Sequence, residues 1–162
     1  MKLSKKLLKA LNAQINLELA SAYLYRAMSH DMKNLALHGY AKWLDKQYEE
    51  ERQHAFKIIS YVEDRDGVVD FDAVAGVGKH YGSPLDAAKD SLAHEEKMSA
   101  SIRDLFRLAR EEGDIETELF LQWFVTEQVE EEVNARDNVA GFEKAKDCEG
   151  LLYMFDAHLG GR

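Results

Sequence analysis

Apolar residues recur at three- and four-residue spacing along most of the chain, which is the period of a helix with one buried face. The pattern predicts four long helices, over about residues 4–29, 35–62, 84–112 and 114–142, and a short fifth helix over about 149–159. Ser83-Pro84 offers an N-cap followed by a proline at the first helical position, and Asp114 can cap the fourth long helix. We therefore expect an all-α protein.

The connections between these helices decide how they can pack. Short links follow the first and third helices and make each an antiparallel neighbour of the next, whereas about twenty residues, from Glu63 to Gly82, separate the second and third. That segment can extend to roughly 66 Å, against about 40 Å for each long helix, so it can cross the whole bundle. We expect a four-helix bundle with one long crossover and a short C-terminal fifth helix.

The inward face of every long helix is interrupted by polar residues near mid-length. The second helix places Leu44, Gln47, Glu51, His54 and Ile58 at alternating three- and four-residue steps. At similar depth the other faces carry Gln14 and Glu18 in the first helix, Glu95 and Ser99 in the third, and Glu127, Gln128 and Glu131 in the fourth. Several carboxylates and one imidazole are thus expected to converge at one level of the core.

Buried carboxylates need compensation, because burying one ionised carboxylate costs several kcal/mol and a whole domain is stable by only about 5 to 15 kcal/mol. No lysine or arginine falls on the predicted inward faces, so the carboxylates are either protonated or neutralised by metal ions, and metal is the more economical interpretation. Oxygen ligands with one imidazole suit Fe(II), Mn(II) or Zn(II). Glu51 and His54, at i and i+3, can reach one ion, and so many carboxylates favour two ions that share a ligand.

A bundle without chemistry is the alternative interpretation of each residue taken alone. A single glutamate at a helix seam is usually solvated, and a lone core histidine is usually just hydrogen-bonded. Tyr25 and Trp123 are likewise more often packing residues than redox participants. The coincidence of polar residues at one depth in four helices argues against that interpretation for the layer as a whole.

Composition narrows the range of partners. The 162 residues include 30 acidic and 21 basic side chains, and the net charge of -9 disfavours nucleic acid and anionic membranes while favouring cations. No apolar run approaches ~18 residues and no apolar signal region follows the basic start, so we expect a cytoplasmic protein. Cys148 is the only cysteine, which excludes an intrachain disulfide and a CxxC motif.

Four segments carry most of the polar core residues. They are QINLEL at 14–19, EERQHA at 50–55, HE at 94–95 and WFVTEQVEEE at 123–132. These segments resemble those of prokaryotic non-haem ferritins. The last contains Gln128-x-x-Glu131 where bacterioferritins have a second Glu-x-x-His, and Arg52 stands where a bacterioferritin has its haem-binding methionine. The resemblance implies a ferritin-like bundle, a single di-iron domain over residues 1–162, and no haem.

Carried over residue by residue, the resemblance implies three iron sites. A first iron would be held by Glu18, Glu51 and His54, and a second by Glu51, as a bridging ligand, and by Glu95. Gln128 would lie beside the second iron as a weaker neighbour. The residues implied for a third site next to this centre are Glu50, Glu127 and Glu131.

The activity implied by the resemblance is ferroxidation with iron storage. Two Fe(II) ions would each give one electron to dioxygen or hydrogen peroxide, and Tyr25 and Trp123 match aromatic positions that are implied electron donors. The Fe(III) product would be stored as hydrated oxide inside a hollow shell, of 24 subunits in this family. The apolar face of the fifth helix, from Leu151 to Leu159, would pack either against symmetry mates or against the end of its own bundle.

Two other functions share parts of this pattern. A di-iron peroxidase of the rubrerythrin type would use a similar centre, but it needs a cysteine-bound iron that the lone Cys148 cannot supply. A miniature ferritin that coats DNA is opposed by the absence of a basic tail. The crossover also lacks the proline pair and tryptophan expected before Ser83, which weakens inferences about its subunit contacts but not about the centre.

Overall fold

The computed structural model describes residues 2–162, which form five α-helices and no strand. The helices are α1 Lys5–Asn34, α2 His38–Asp64, α3 Pro84–Glu111, α4 Ile115–Ala145 and α5 Glu149–Gly160. The predicted all-α four-helix bundle with one long crossover and a short C-terminal helix is confirmed. Within the described residues, no helix combines the length and the apolar character needed to span a membrane.

Side-chain caps define most of the helix starts. The side chains of Ser4, Ser83 and Asp114 accept hydrogen bonds from the first turns of α1, α3 and α4. The start of α2 has no such cap of its own, and Asp156 of α5 takes this role by accepting from the backbone N–H groups of Gly39 (3.0 Å) and Tyr40 (2.8 Å). The first turn of α2 therefore depends on the docking of α5.

The core consists of two apolar clusters with a polar layer between them. Along α1, Ile15 belongs to one cluster and Tyr25 to the other, with the buried Glu18 in between. The order along α2 is reversed, with Leu44 and Ile58 on either side of the polar residues. The polar layer thus lies at the same depth in antiparallel helices, as the interrupted inward faces predict.

The crossover, residues 65–83, is attached to α1 at both of its ends. The Asn12 amide donates to the carbonyl of Val68 (2.9 Å) and accepts from the N–H of Asp70 (3.0 Å). At the far end, Asp31 accepts from the N–H of Tyr81 (2.9 Å) and bonds to the His80 ring (3.0 Å). Helix α1 continues to Asn34 rather than ending near residue 29, and Asp31, which holds the crossover, lies in this added part of the helix.

Helix α5 packs against the end of its own bundle. Phe155 contacts Phe142 edge to face, with ring centroids 4.9 Å apart, and Leu159 is buried in the adjoining apolar cluster. Leu151, Tyr153 and Met154 of α5 are nevertheless exposed. Of the two packing alternatives for this helix, the structure shows packing against its own bundle. Apolar side chains on the outer side of α5 remain exposed.

Candidate metal centre

The closest group of metal-ligating side chains in the polar layer is formed by Glu18 of α1 with Glu51 and His54 of α2. The His54 Nδ1 atom lies 3.8 Å from Glu18 Oε2 and 3.9 Å from Glu51 Oε1. One ligand atom of each residue lies within 4.8 Å of the others, and all three side chains are buried. Carboxylate oxygens and an imidazole nitrogen in this arrangement suit a divalent first-row transition metal.

Glu51 is the buried carboxylate whose negative charge has the least compensation from the protein. Its Oε1 atom is buried and has no hydrogen-bond partner among the described residues. Burial, followed by the charges of Glu18 and Glu95, raises the pKa of Glu51 well above its ordinary value. An ionised Glu51 would need a cation beside it, and its Oε1 atom, which makes no hydrogen bond, can serve as a metal ligand.

Glu18 is held in place by Gln14, which lies on the predicted inward face of α1 without an assigned role, and through Gln14 by Ser101, which the sequence pattern did not indicate. Its Oε1 atom accepts from the Gln14 amide (2.7 Å), one helical turn earlier. The other end of that amide accepts from the Ser101 hydroxyl of α3 (2.6 Å). Hydrogen bonds of this kind orient ligand carboxylates in metal sites.

Glu95 of α3 lies on the other side of the layer. Its carboxylate accepts a short hydrogen bond from the Tyr25 hydroxyl and a second from the Gln128 amide (3.2 Å). Burial raises the pKa of Glu95 although both hydrogen bonds oppose this effect. Burial and the Glu95 charge also raise the pKa of Tyr25, so Tyr25 keeps its proton and acts as a donor to Glu95.

Trp123 lies beside the centre but at its outer edge. Its ring meets the His54 ring edge to face, with centroids 5.5 Å apart, and 40% of the residue is exposed. The Lys57 ammonium lies over the indole at 4.2 Å from the ring centroid. Tyr25 and Trp123 therefore occupy opposite environments, one fully buried against a carboxylate and one solvated beneath a cation.

A second ligand group shares His54 with the first. It contains His54, Glu127 and Glu131, again with ligand atoms within 4.8 Å of one another. Gln47 donates to Glu131 Oε2 (2.8 Å), and burial, followed by the Glu95 charge, raises the pKa of Glu131 to about 7. A surface pocket of about 530 Å³, lined by His54 and Glu127 among others, gives access to this group.

Glu50 is not a member of that second group. The sequence places Glu50 with Glu127 and Glu131, but its Oε2 atom accepts from the Arg162 guanidinium at 2.7 Å, and it lines the access pocket instead. Arg162 lies 112 residues further along the chain, so no local pattern could indicate this pairing. Gln47, in contrast, lay on the predicted inward face and could have been assigned a positioning role.

Comparisons with known proteins agree with this geometry. A family model described as a ferritin-like domain matches residues 8–145. The chain is 36% identical over 160 residues to the bacterial non-heme ferritins of Staphylococcus aureus (strain USA300) and Staphylococcus epidermidis (strain ATCC 12228 / FDA PCI 1200), covering 99% of this chain and 96% of each relative.

Solved structures with the same fold include an open pore ferritin from the hyperthermophilic archaeon Archaeoglobus fulgidus, with a TM-score of 0.97, 37% identity and 99% coverage of both chains. A humanized archaeal ferritin also has a TM-score of 0.97, at 35% identity, and the match covers 99% of this chain and 98% of that one. The resemblance to prokaryotic non-haem ferritins seen in the sequence segments is confirmed, and the chain belongs to the ferritin family.

Proposed function

We propose that this protein is an iron-storage ferritin that oxidises Fe(II) at a di-iron centre within its own four-helix bundle. The observation that carries the proposal is the buried group of Glu18, Glu51 and His54, in which one Glu51 oxygen has no hydrogen-bond partner among the described residues. Family membership supports iron as the metal. The acidic net charge of -9 favours collection of cations.

The first iron is assigned to Glu18, Glu51 and His54, and the second to Glu51, as a bridge, and Glu95. Gln128 donates to Glu95 at 3.2 Å and therefore lies beside the second position without adding charge. The third iron is assigned to Glu127 and Glu131, with His54 at the shared edge. Glu50 lies at the rim of this third site, where it is paired with Arg162.

The reaction transfers one electron from each of two Fe(II) ions. With dioxygen, two Fe(II), one O2 and two protons yield two Fe(III) and one H2O2. With H2O2 as oxidant, two Fe(II), one H2O2 and two protons yield two Fe(III) and two water molecules. Pairing the two ions supplies both electrons at one place, which avoids release of a one-electron-reduced oxygen species. Tyr25 and Trp123 are the candidate donors of further electrons, since both lie beside the proposed ligands.

Storage requires that Fe(III) leave the centre and collect in an enclosed space. We infer self-assembly into a hollow shell, with 24 subunits as the expected number and hydrated ferric oxide as the stored form. The expected compartment is the cytoplasm, and neither nucleic acid nor a membrane is an expected partner. Haem is not expected, because Arg52 replaces the methionine that would hold it.

Anaerobic addition of Fe(II) followed by air tests this function. A ferritin should show a transient visible absorption during oxidation and then retain a load of iron far larger than the number of ligand sites. A di-iron peroxidase of the rubrerythrin type, the alternative, would consume H2O2 with a reductant and retain only a few irons per chain. Rapid oxidation without iron retention after gel filtration would contradict storage.

A further inference from the structure

Arg162 follows the last helix, yet its side chain lies at the edge of the polar layer. One guanidinium nitrogen donates to Gln47 Oε1 (2.5 Å) and another donates to Glu50 Oε2 (2.7 Å). The guanidinium also lies over the Trp43 ring, 4.7 Å from its centroid, and the backbone oxygen of Arg162 accepts from Lys46. These contacts fall at i, i+3, i+4 and i+7 of α2, so one helical face binds this single arginine.

The contact with Gln47 fixes which way that amide points. A guanidinium has only donors, so the Gln47 oxygen must face Arg162. The Gln47 nitrogen then faces the opposite way and donates to Glu131 Oε2 at 2.8 Å. Arg162 therefore acts on Glu131 through one intervening residue, and Glu131 belongs to the group with His54 and Glu127.

The contact with Glu50 compensates a negative charge in the same region. Glu50 lines the access pocket together with His54 and Glu127, but its carboxylate is held by Arg162. The side chain of Arg162 is only 27% exposed and that of Glu50 is 38% exposed, so the pair is partly shielded from solvent. Without Arg162, Glu50 would be a third carboxylate free to turn toward the group.

We propose that Arg162 is a built-in cation that limits the affinity of the third metal site by holding Glu50 away from it. The inference rests on the proposed function, since it takes His54, Glu127 and Glu131 as a site for divalent cations. A divalent cation in the pocket competes with Arg162 for Glu50 and displaces the guanidinium from Trp43. Weak binding at this position suits an ion that must move on to storage.

Calorimetric titration of the assembled protein with Zn²⁺, which is not oxidised, tests the proposal. In Arg162→Gln, the released Glu50 charge outweighs the loss of one charge-assisted hydrogen bond at Gln47, so the weakest Zn²⁺ site should bind roughly tenfold more tightly. Arg162→Lys keeps the charge but cannot donate to Gln47 and Glu50 with the same planar group, so its Zn²⁺ affinity should lie between those of the wild type and Arg162→Gln. Arg107→Gln, which breaks an exposed pair with Asp104, makes the same charge change elsewhere and is the matched control.

Fluorescence gives a second readout that a purely structural role would not produce. The chain has two tryptophans, so a Trp123→Phe background leaves Trp43 as the only emitter. Zn²⁺ added beyond the tight sites should change Trp43 emission when Arg162 is present and should not change it in Arg162→Gln. Unchanged Zn²⁺ affinity in Arg162→Gln, with Trp43 emission insensitive to Zn²⁺, would overturn this inference and leave the proposed function standing, whereas a wild type that binds no Zn²⁺ would overturn both.

Discussion

Glu51 has the least favourable surroundings of the buried carboxylates, because burial and the charges of Glu18, Glu95 and Glu131 all raise its pKa and one of its oxygens has no hydrogen-bond partner among the described residues. An unpaired charge in a protein interior costs several kcal/mol, so this residue destabilises the metal-free bundle. The same residue belongs to the ligand group with Glu18 and His54, and the charge of Glu95 also acts on it. The burial of Glu51 among other carboxylates therefore explains both its destabilising effect without metal and its proposed function as a metal ligand.

We expect Glu51→Gln to lower the rate of the first rapid phase of Fe(II) oxidation by roughly tenfold or more, since a shared ligand loses its charge. The metal-free variant should melt at the same temperature as the wild type or higher, because a carboxyl group that is costly to bury is replaced by a neutral amide. Stopped-flow absorbance and calorimetry measure the two effects. Glu49→Gln, at an exposed position paired with Arg52, is the control on the same helix, and equal oxidation rates in the two variants would contradict the assignment.

Glu131 should make the stability of the metal-free protein depend on pH. Its pKa is about 7 in the folded protein and near 4.5 when exposed, so the unfolded chain loses its proton first as the pH rises. The free energy of unfolding should therefore fall between about pH 4.5 and 7, by up to about 3 kcal/mol from this group alone. Glu51 and Glu95 shift in the same direction and add to the slope.

Urea unfolding in the presence of a chelator at pH 5 and pH 7.5 measures this slope. Glu131→Gln cannot ionise and should lose a substantial part of the pH dependence. The same pH dependence of the free energy of unfolding in the variant, or a wild type that gains stability toward pH 7.5, would show that Glu131 is not the source of this pH dependence.

At the scale of elements, the helices and their polar layer were predictable because both depend on local periodicity. Glu18, Glu51 and His54 could be placed at one depth from their three- and four-residue spacing alone, and the structure brings them together. Features set by distant contacts were not predictable. Examples are the attachment of the crossover to Asp31 and the pairing of Glu50 with Arg162.

The packing of α5 on the start of α2 is a contact between elements that a single substitution should disrupt. A Cβ atom at Gly39 would lie 1.8 Å from the backbone oxygen of Asp156, the residue that caps α2. Gly39→Ala should therefore push α5 away and cost about 1 to 3 kcal/mol, with faster hydrogen exchange throughout α5. Gly150→Ala, where a Cβ meets nothing within 4 Å, should instead stabilise α5 by about 0.5 to 1 kcal/mol. Equal exchange rates in the two variants would contradict this packing.

At the scale of the whole molecule, α5 exposes apolar side chains on its outer side although its inner face already packs against the bundle. Tyr153 is 77% exposed and Met154 is 68% exposed, next to the half-exposed Leu151. Adjacent exposed apolar side chains of this size are typical of surfaces that bind another protein. In a chain proposed to assemble into a shell, a second copy of the same chain is the expected partner.

We therefore expect Met154→Glu to weaken assembly while leaving the subunit folded, because it puts a charge where apolar surface should be buried between copies. Light scattering should show smaller particles or a higher dissociation concentration, and circular dichroism should show unchanged helicity. Gln122→Glu adds the same charge at an exposed polar position of α4 and should leave the particle size unchanged. If Met154→Glu assembles as the wild type does, the outer face of α5 lies outside the subunit contacts, and the shell must be held by other surfaces of the bundle.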